Sequence, residues 1–255
     1  MHRYAISDAD WHRLAPLLPG KATDPGRTAR NNRLFLDAVN YIARNGGPWR
    51  DLPKRYGKWN SVWRRFDRWS RKGIWQRLFD HFQDPDLEWL LLDSTSVRAH
   101  QHAAGAKKGL SPEEAAAREG LGRSRGGLTT KLHAACDALG NPLRLRVTPG
   151  QYGDVPQAAG LVEGLTPEAL VADTAYDADW LRRWAVRAGA EAVIPPNPRR
   201  ALKPGYDLEL YRERNRIERF FGRLKLNRRV ATRYEKTARN YLSFAYWAST
   251  VVLLR

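Results

Sequence analysis

Residues 211–225 read YRERNRIERFFGRLK, five arginines and a lysine with two glutamates among them. Such a basic stretch suits phosphate, so a carboxylate at Glu218 in its middle needs a reason. At roughly 100° per residue, Tyr211, Arg214, Glu218 and Lys225 fall on one face of a helix over 211–225, and Ile217, Phe220 and Leu224 form a neighbouring apolar stripe. Two more carboxylates stand out. Asp93 follows Leu90-Leu91-Leu92, and Asp173 follows Leu170-Val171-Ala172. An ionised carboxylate against an apolar run is costly to desolvate, and a hard divalent cation with oxygen ligands relieves that cost. Three carboxylates flanked by cations would hold such a metal beside a nucleic-acid backbone. Each also has an ordinary alternative. A lone Asp is commonly a turn residue or helix cap, and Glu218 with Arg214 can be a surface pair worth a few tenths of a kcal/mol. Asp177 and Asp179 compete with Asp173 for the second position, and Asp173 is preferred because it directly ends the apolar run. His133 reads as a structural strand residue, and His100 and His102 lie just beyond the first Asp strand.

These residues need a scaffold. Residues 89–92 are four consecutive apolar residues, the mark of a strand buried on both faces, with Asp93 at its end or within it. Residues 130–150 alternate as a hairpin around Gly140-Asn141-Pro142. Helix over 155–163, strand to Asp173, helix over 178–188, a short strand in EAVIPP, and helices over 211–225 and 238–254 follow. The order is that of an α/β, ribonuclease-H-like mixed sheet flanked by helices. Residues 103–127 hold six glycines and no aromatic residue, and read as a flexible insertion with a short helix over 111–119.

The first 82 residues read as a small all-α domain. Ser7 and Asp10 form a capping-box pattern, a second helix over 31–44 stops at Gly46-Gly47, and a third starts at Trp59. Trp59, Val62, Trp63, Phe66 and Trp69 make its apolar stripe, with Arg64, Arg65 and Arg68 largely outside it. The pattern suits a helix-turn-helix DNA-binding module and equally a small bundle with solvated arginines. Residues 83–88 read as a linker to a catalytic domain over 89–255.

The bulk numbers agree with a polyanion partner. Forty-four Lys and Arg against 27 Asp and Glu give a net charge of +17 in 255 residues. A single cysteine excludes an intrachain disulfide. The N-terminus has no apolar leader and the apolar stretch over 241–254 is too short to span a bilayer, so the expected location is the cytoplasm, with no membrane partner.

Together, Tyr211-x2-Arg214-x3-Glu218-x6-Lys225, VADTAYDADWL, LLLDSTSVRAH and the stretch GRSRGGLTTKLHAACDALGNPLRLRVTPGQYGD resemble bacterial insertion-sequence transposases of the DDE type, and the IS-five group in particular. The likeness runs over essentially the whole chain. It implies that Asp93, Asp173 and Glu218 are the catalytic, metal-holding triad, with separations of 80 and 45 residues. It implies two Mg2+ ions about 3.5–4 Å apart, with Mn2+ as a substitute. It further implies phosphate contacts from Arg214 and Lys225, with Tyr211 orienting the strand or packing beneath the site. The N-terminal helices, with Arg64, Arg65 and Arg68, would recognise terminal inverted repeats in double-stranded DNA. A freed 3′-OH would attack target DNA, in a homodimer or larger complex at the bacterial nucleoid. Another ribonuclease-H-like nuclease and an inactive DNA-binding protein are the alternatives.

Overall fold

Helix starts and stops follow the local chemistry read from the sequence. A computed structural model describes residues 4–26, 28–104, 111, 114 and 118–255. Helix α1, Asp8–Leu14, is capped by Ser7, whose Oγ accepts from the Asp10 N–H at 3.1 Å. Helix α2, Asn32–Asn45, is capped by Asn31 and ends on Gly46 at φ 72°, where a side chain would be strained. Helix α3, Trp59–Arg71, turns at Lys72-Gly73 into α4, Ile74–His81. Val62, Phe66 and Trp69 of α3 are buried, but Trp63 is exposed, so the apolar stripe is narrower than its sequence suggests.

A mixed sheet follows. Strand β1, Trp89–Ala99, is its centre, and Asp93 lies inside it. Strand β3, Gly127–Cys136, runs antiparallel to β1, and β4, Pro142–Pro149, runs antiparallel to β3. Helix α5, Val155–Val162, leads to β5, Ala169–Ala172, which lies parallel to β1 on its other side. Helix α6, Asp179–Arg187, leads to β6, Glu191–Val193, parallel to β5. Short β2, Gly122–Ser124, extends the β3 edge, and β7, Thr232–Arg233, joins the far end of β1. The main order, β4-β3-β1-β5-β6, is the ribonuclease-H-like sheet.

Helices α7, Leu208–Arg212, α8, Asn215–Lys225, α9, Arg228–Ala231, and α10, Ala238–Leu253, complete the chain. Alternation along β1 sorts the two faces. Leu91 and Val97 join one core with Ile217, Phe220 and Leu224 of α8 and with α10, while Leu90 and Leu92 join another with Leu161 of α5 and Leu181 of α6. The N-terminal helices share the first core. Phe66 stacks on Phe244 at 4.5 Å, and Trp75 meets Trp247 edge-on at 5.7 Å.

Three expectations are revised. Residues 122–124 and 127–129 are paired strand rather than loop: Gly127, at φ 90°, follows a tight turn, and Ser124 Oγ accepts from Thr129 Oγ1 at 2.9 Å. Most of the short helix expected over 111–119 lies outside the described residues. Finally, the helix expected over 211–225 is two helices. Asn215 Nδ2 donates to the Arg212 carbonyl at 2.8 Å, and the chain tightens into i→i+3 bonds from Leu210 to Ile217. Glu218 and Lys225 stay together on α8, with Arg214 at its N-cap, and Tyr211 belongs to α7.

Candidate active site

Parallel pairing of β1 and β5 builds the centre. Leu92 lies opposite Ala172, so the next residues, Asp93 and Asp173, leave the two strands side by side. Two parallel strands in this register deliver two carboxylates from positions 80 residues apart. Helix α8 packs its apolar stripe over the same face of β1, which brings Glu218 above Asp93.

Arg214 ties the parts together. Its Nη1 donates to Asp93 Oδ2 at 3.0 Å, across 121 residues, and its Nη2 donates to Glu218 Oε1. Glu218 is half exposed, Asp93 mostly covered. Lys225 Nζ donates to Thr95 Oγ1 at 2.6 Å, two residues along β1 from Asp93. Tyr211 presents its ring 6.0 Å from the Arg214 guanidinium.

The electrostatics are those of a charged centre short of compensation. Burial raises the Asp93 pKa to about 6, against the Ser94 N–H bond and Arg214, and Asp173 and Glu218 push it further up. Burial also raises Asp173, opposed by the Ala175 N–H at 2.9 Å and by Arg214. Burial disfavours the Arg214 charge, yet Asp93, Glu218, Tyr211 and Asp173 together outweigh it and hold its pKa up.

Among the described residues, no group of three or more His, Cys, Asp or Glu side chains is close enough to hold a metal ion. The guanidinium of Arg214 stands between Asp93 and Glu218, supplying the positive charge a cation would bring. The donors themselves are all carboxylate oxygens, two of them disfavoured as anions by burial, and that chemistry fits a hard divalent cation.

Other candidates lie elsewhere. Asp177 is fully covered and bound to Arg182 Nε at 2.7 Å, Arg200 at 3.5 Å and the Asn197 N–H at 2.7 Å, a clasp on the loop after β6. Asp179 pairs with Arg200. His100 stacks on Tyr234 beyond the end of β1, with His102 beside it. Buried His133 bonds Thr148 Oγ1 at 2.8 Å. On α3, Arg64 and Arg68 are exposed. Arg65 is not: it lies over Phe35 at 4.3 Å and Trp69 at 4.9 Å and donates to Asn32, and burial, with Arg68 nearby, lowers its pKa to about 10. Asp154, which the sequence gave no cause to select, lies in the field of Asp173. Its only local signal is an Asp directly before Val155-Pro156, which reads as an ordinary helix start.

Known proteins with similar sequences agree with this geometry. A family profile described as "Putative transposase of IS4/5 family" matches residues 6–79, and one described as "Transposase DDE domain" matches residues 84–253. Over 130 residues, half of this chain and all of the relative, the chain is 48% identical to "Putative transposase for insertion sequence element IS6501" of Brucella ovis. It is 46% identical over 104 residues to an uncharacterized protein of Sinorhizobium fredii, covering 40% of this chain and 83% of the relative. It is 33% identical over 125 residues to an uncharacterized protein of insertion element IS402 from Burkholderia cepacia, covering 44% and 84%. No helix among the described residues is long and apolar enough to cross a membrane. A DDE profile over most of the chain, on a ribonuclease-H-like sheet, decides the family: the chain belongs to the DDE transposases of bacterial insertion sequences.

Proposed function

We propose that the chain cuts DNA at the ends of its insertion sequence and joins the freed 3′-OH to target DNA, with Asp93, Asp173 and Glu218 as the catalytic carboxylates. The observation that carries this reading is Arg214 joining Asp93 to Glu218 across 121 residues while the β1–β5 register sets Asp173 beside Asp93. Asp93, Asp173 and Glu218 would hold Mg2+, or Mn2+ in its place. Two such ions, when bound, supply the charge that lowers the pKa of an attacking water and stabilises the departing 3′ oxygen. The chain's own groups do the rest. Arg214 releases the carboxylates and turns to a phosphate, where its fork can bind two oxygens. Lys225, resting on Thr95, meets the next phosphate, and Tyr211 backs Arg214.

Residues 1–82, joined through 83–88 to the catalytic part over 89–255, supply recognition of the terminal repeats. Arg64 and Arg68 contact phosphate. Cutting two ends of one element calls for a dimer or larger complex on double-stranded DNA, in the bacterial cytoplasm. The test is nicking of DNA carrying the element's ends. Mg2+ should switch it on and EDTA should switch it off, and metal-independent nicking would overturn the reading.

Two expected results arise here. Arg64→Ala and Arg68→Ala should each weaken end binding and lower the slope of log K against log salt by about 1, with unchanged melting temperatures. Arg65→Ala should lose about 1–2 kcal/mol of stability, because its stacking on Phe35 and Trp69 goes with its charge. Binding titrations at several salt concentrations, paired with thermal melts, separate the three. If Arg64→Ala and Arg68→Ala both bound like wild type, recognition would lie on another surface. Separately, Arg214→Gln should bind Mn2+ several-fold more tightly in the absence of DNA, since a competing cation is gone (~0.5–1 kcal/mol). An unchanged Mn2+ titration would show that the guanidinium and the metal do not compete.

A further inference from the structure

Asp154 stands at the start of α5, where the usual role of an aspartate is to cap the helix. It does not do so. Its side chain makes no capping hydrogen bond and turns back against the sheet. There Lys131 Nζ lies 3.1 Å and buried His133 Nδ1 3.3 Å from Oδ1, and Ser94, the neighbour of Asp93, hydrogen-bonds the carboxylate. Burial opposes the anion, yet His133, Ser94 and Lys131 outweigh it and pull the pKa down to about 2. Asp154 is therefore an ionised carboxylate next to Asp173, on the opposite side of the sheet from Glu218.

Two buried polar groups at this point are left without partners. His133, fully buried, has an unsatisfied Nδ1. Tyr176, 1% exposed, has a hydroxyl with no hydrogen-bond partner, set in the combined field of Asp154, Asp93 and Asp173. Asp154 Oδ1 is itself buried and makes no well-formed hydrogen bond. A buried hydroxyl without a partner costs about 1–3 kcal/mol, which marks a place built for something further, with an open carboxylate oxygen beside it.

We propose that Asp154 is a fourth carboxylate of the metal-binding centre, partnering Asp173 as Glu218 partners Asp93, with Tyr176 donating its hydroxyl to the water or phosphate oxygen held there. The symmetry is chemical. Arg214 bridges Asp93 and Glu218 on one side of the sheet, and Lys131 neutralises Asp154 on the other. Each basic side chain holds the charge that a divalent cation takes over. The proposal rests on the metal-dependent reading of Asp93, Asp173 and Glu218, and its test separates the two.

The experiment is Mn2+ binding by the purified full-length chain without DNA, read by electron paramagnetic resonance at millimolar metal. Asp93→Asn tests the underlying reading and should abolish site-specific uptake. If wild type and Asp93→Asn take up Mn2+ alike, that reading and this one both fall. Given that difference, Asp154→Asn should weaken uptake by about tenfold or more, whereas uptake equal to wild type would overturn the role of Asp154 alone. Lys131→Gln guards against a folding defect in Asp154→Asn. Removing the competing ammonium should tighten Mn2+ binding several-fold if Asp154 is a ligand. Unchanged binding in a folded Lys131→Gln chain would overturn the proposal.

Discussion

Glu218→Gln should abolish cleavage of DNA carrying the element's ends while leaving end binding at wild-type strength. The amide keeps the shape of the side chain and loses its charge. Glu218 is half exposed and lies off the apolar stripe of α8, so the fold does not depend on it. What changes is the charge on the Asp93 side of the centre, where Arg214 would then bond Asp93 alone. A catalytic carboxylate that acts as one of a set carries a rate effect of roughly a thousandfold or more. Cleavage rates and binding isotherms on one end-labelled duplex check this. Near-wild-type cutting by Glu218→Gln would remove it from the active set.

Asp93→Asn should be equally inactive and yet, without metal, more stable. Asp93 has its pKa raised to about 6 in the folded chain, from an ordinary 3.8, chiefly by burial. A carboxylate with a raised folded pKa destabilises the fold wherever it is ionised in both states. That penalty is complete above about pH 6 and disappears as pH falls through 6 toward 3.8. Arg214 already offsets part of it. Replacing the charge by an amide at pH 7 should therefore stabilise the metal-free chain by about 1–3 kcal/mol, a shift of several degrees in melting temperature. The gain should shrink at pH 5. Adding Mg2+ should raise the melting temperature of wild type and not that of Asp93→Asn. Melts at pH 7 and pH 5, with and without Mg2+, test the set. A less stable Asp93→Asn chain at pH 7 would show that the bond to Arg214 outweighs the burial penalty.

Much of this centre was legible in the sequence because its carriers are local signals. Leu90-Leu91-Leu92 and Leu170-Val171-Ala172 announce buried strands, and an aspartate directly after each is visible without knowing the partner. Helix limits at Ser7, Asn31 and Gly46 follow from caps that act within a few residues. What escaped depends on distant chain. The break between α7 and α8 turns on one side chain, Asn215, taking a backbone carbonyl. Arg65 looks like its neighbours until Phe35 from α2 is placed beneath it. Asp154 is the clearest case. Its meaning needs the pairing of Ser94 with His133, which sets Lys131 and His133 on the side of β3 that α5 covers. No spacing within its own segment reveals that.

The measurement that tests the central claim most directly is strand joining. A duplex ending at the element's terminus with a free 3′-OH is incubated with supercoiled target DNA, the purified chain and Mg2+, and joined products are counted. The account predicts joining by wild type with Mg2+ or Mn2+, none in EDTA, and none from Asp93→Asn, Asp173→Asn or Glu218→Gln chains that still bind the end. Joining at wild-type yield by any of these three variants would contradict it.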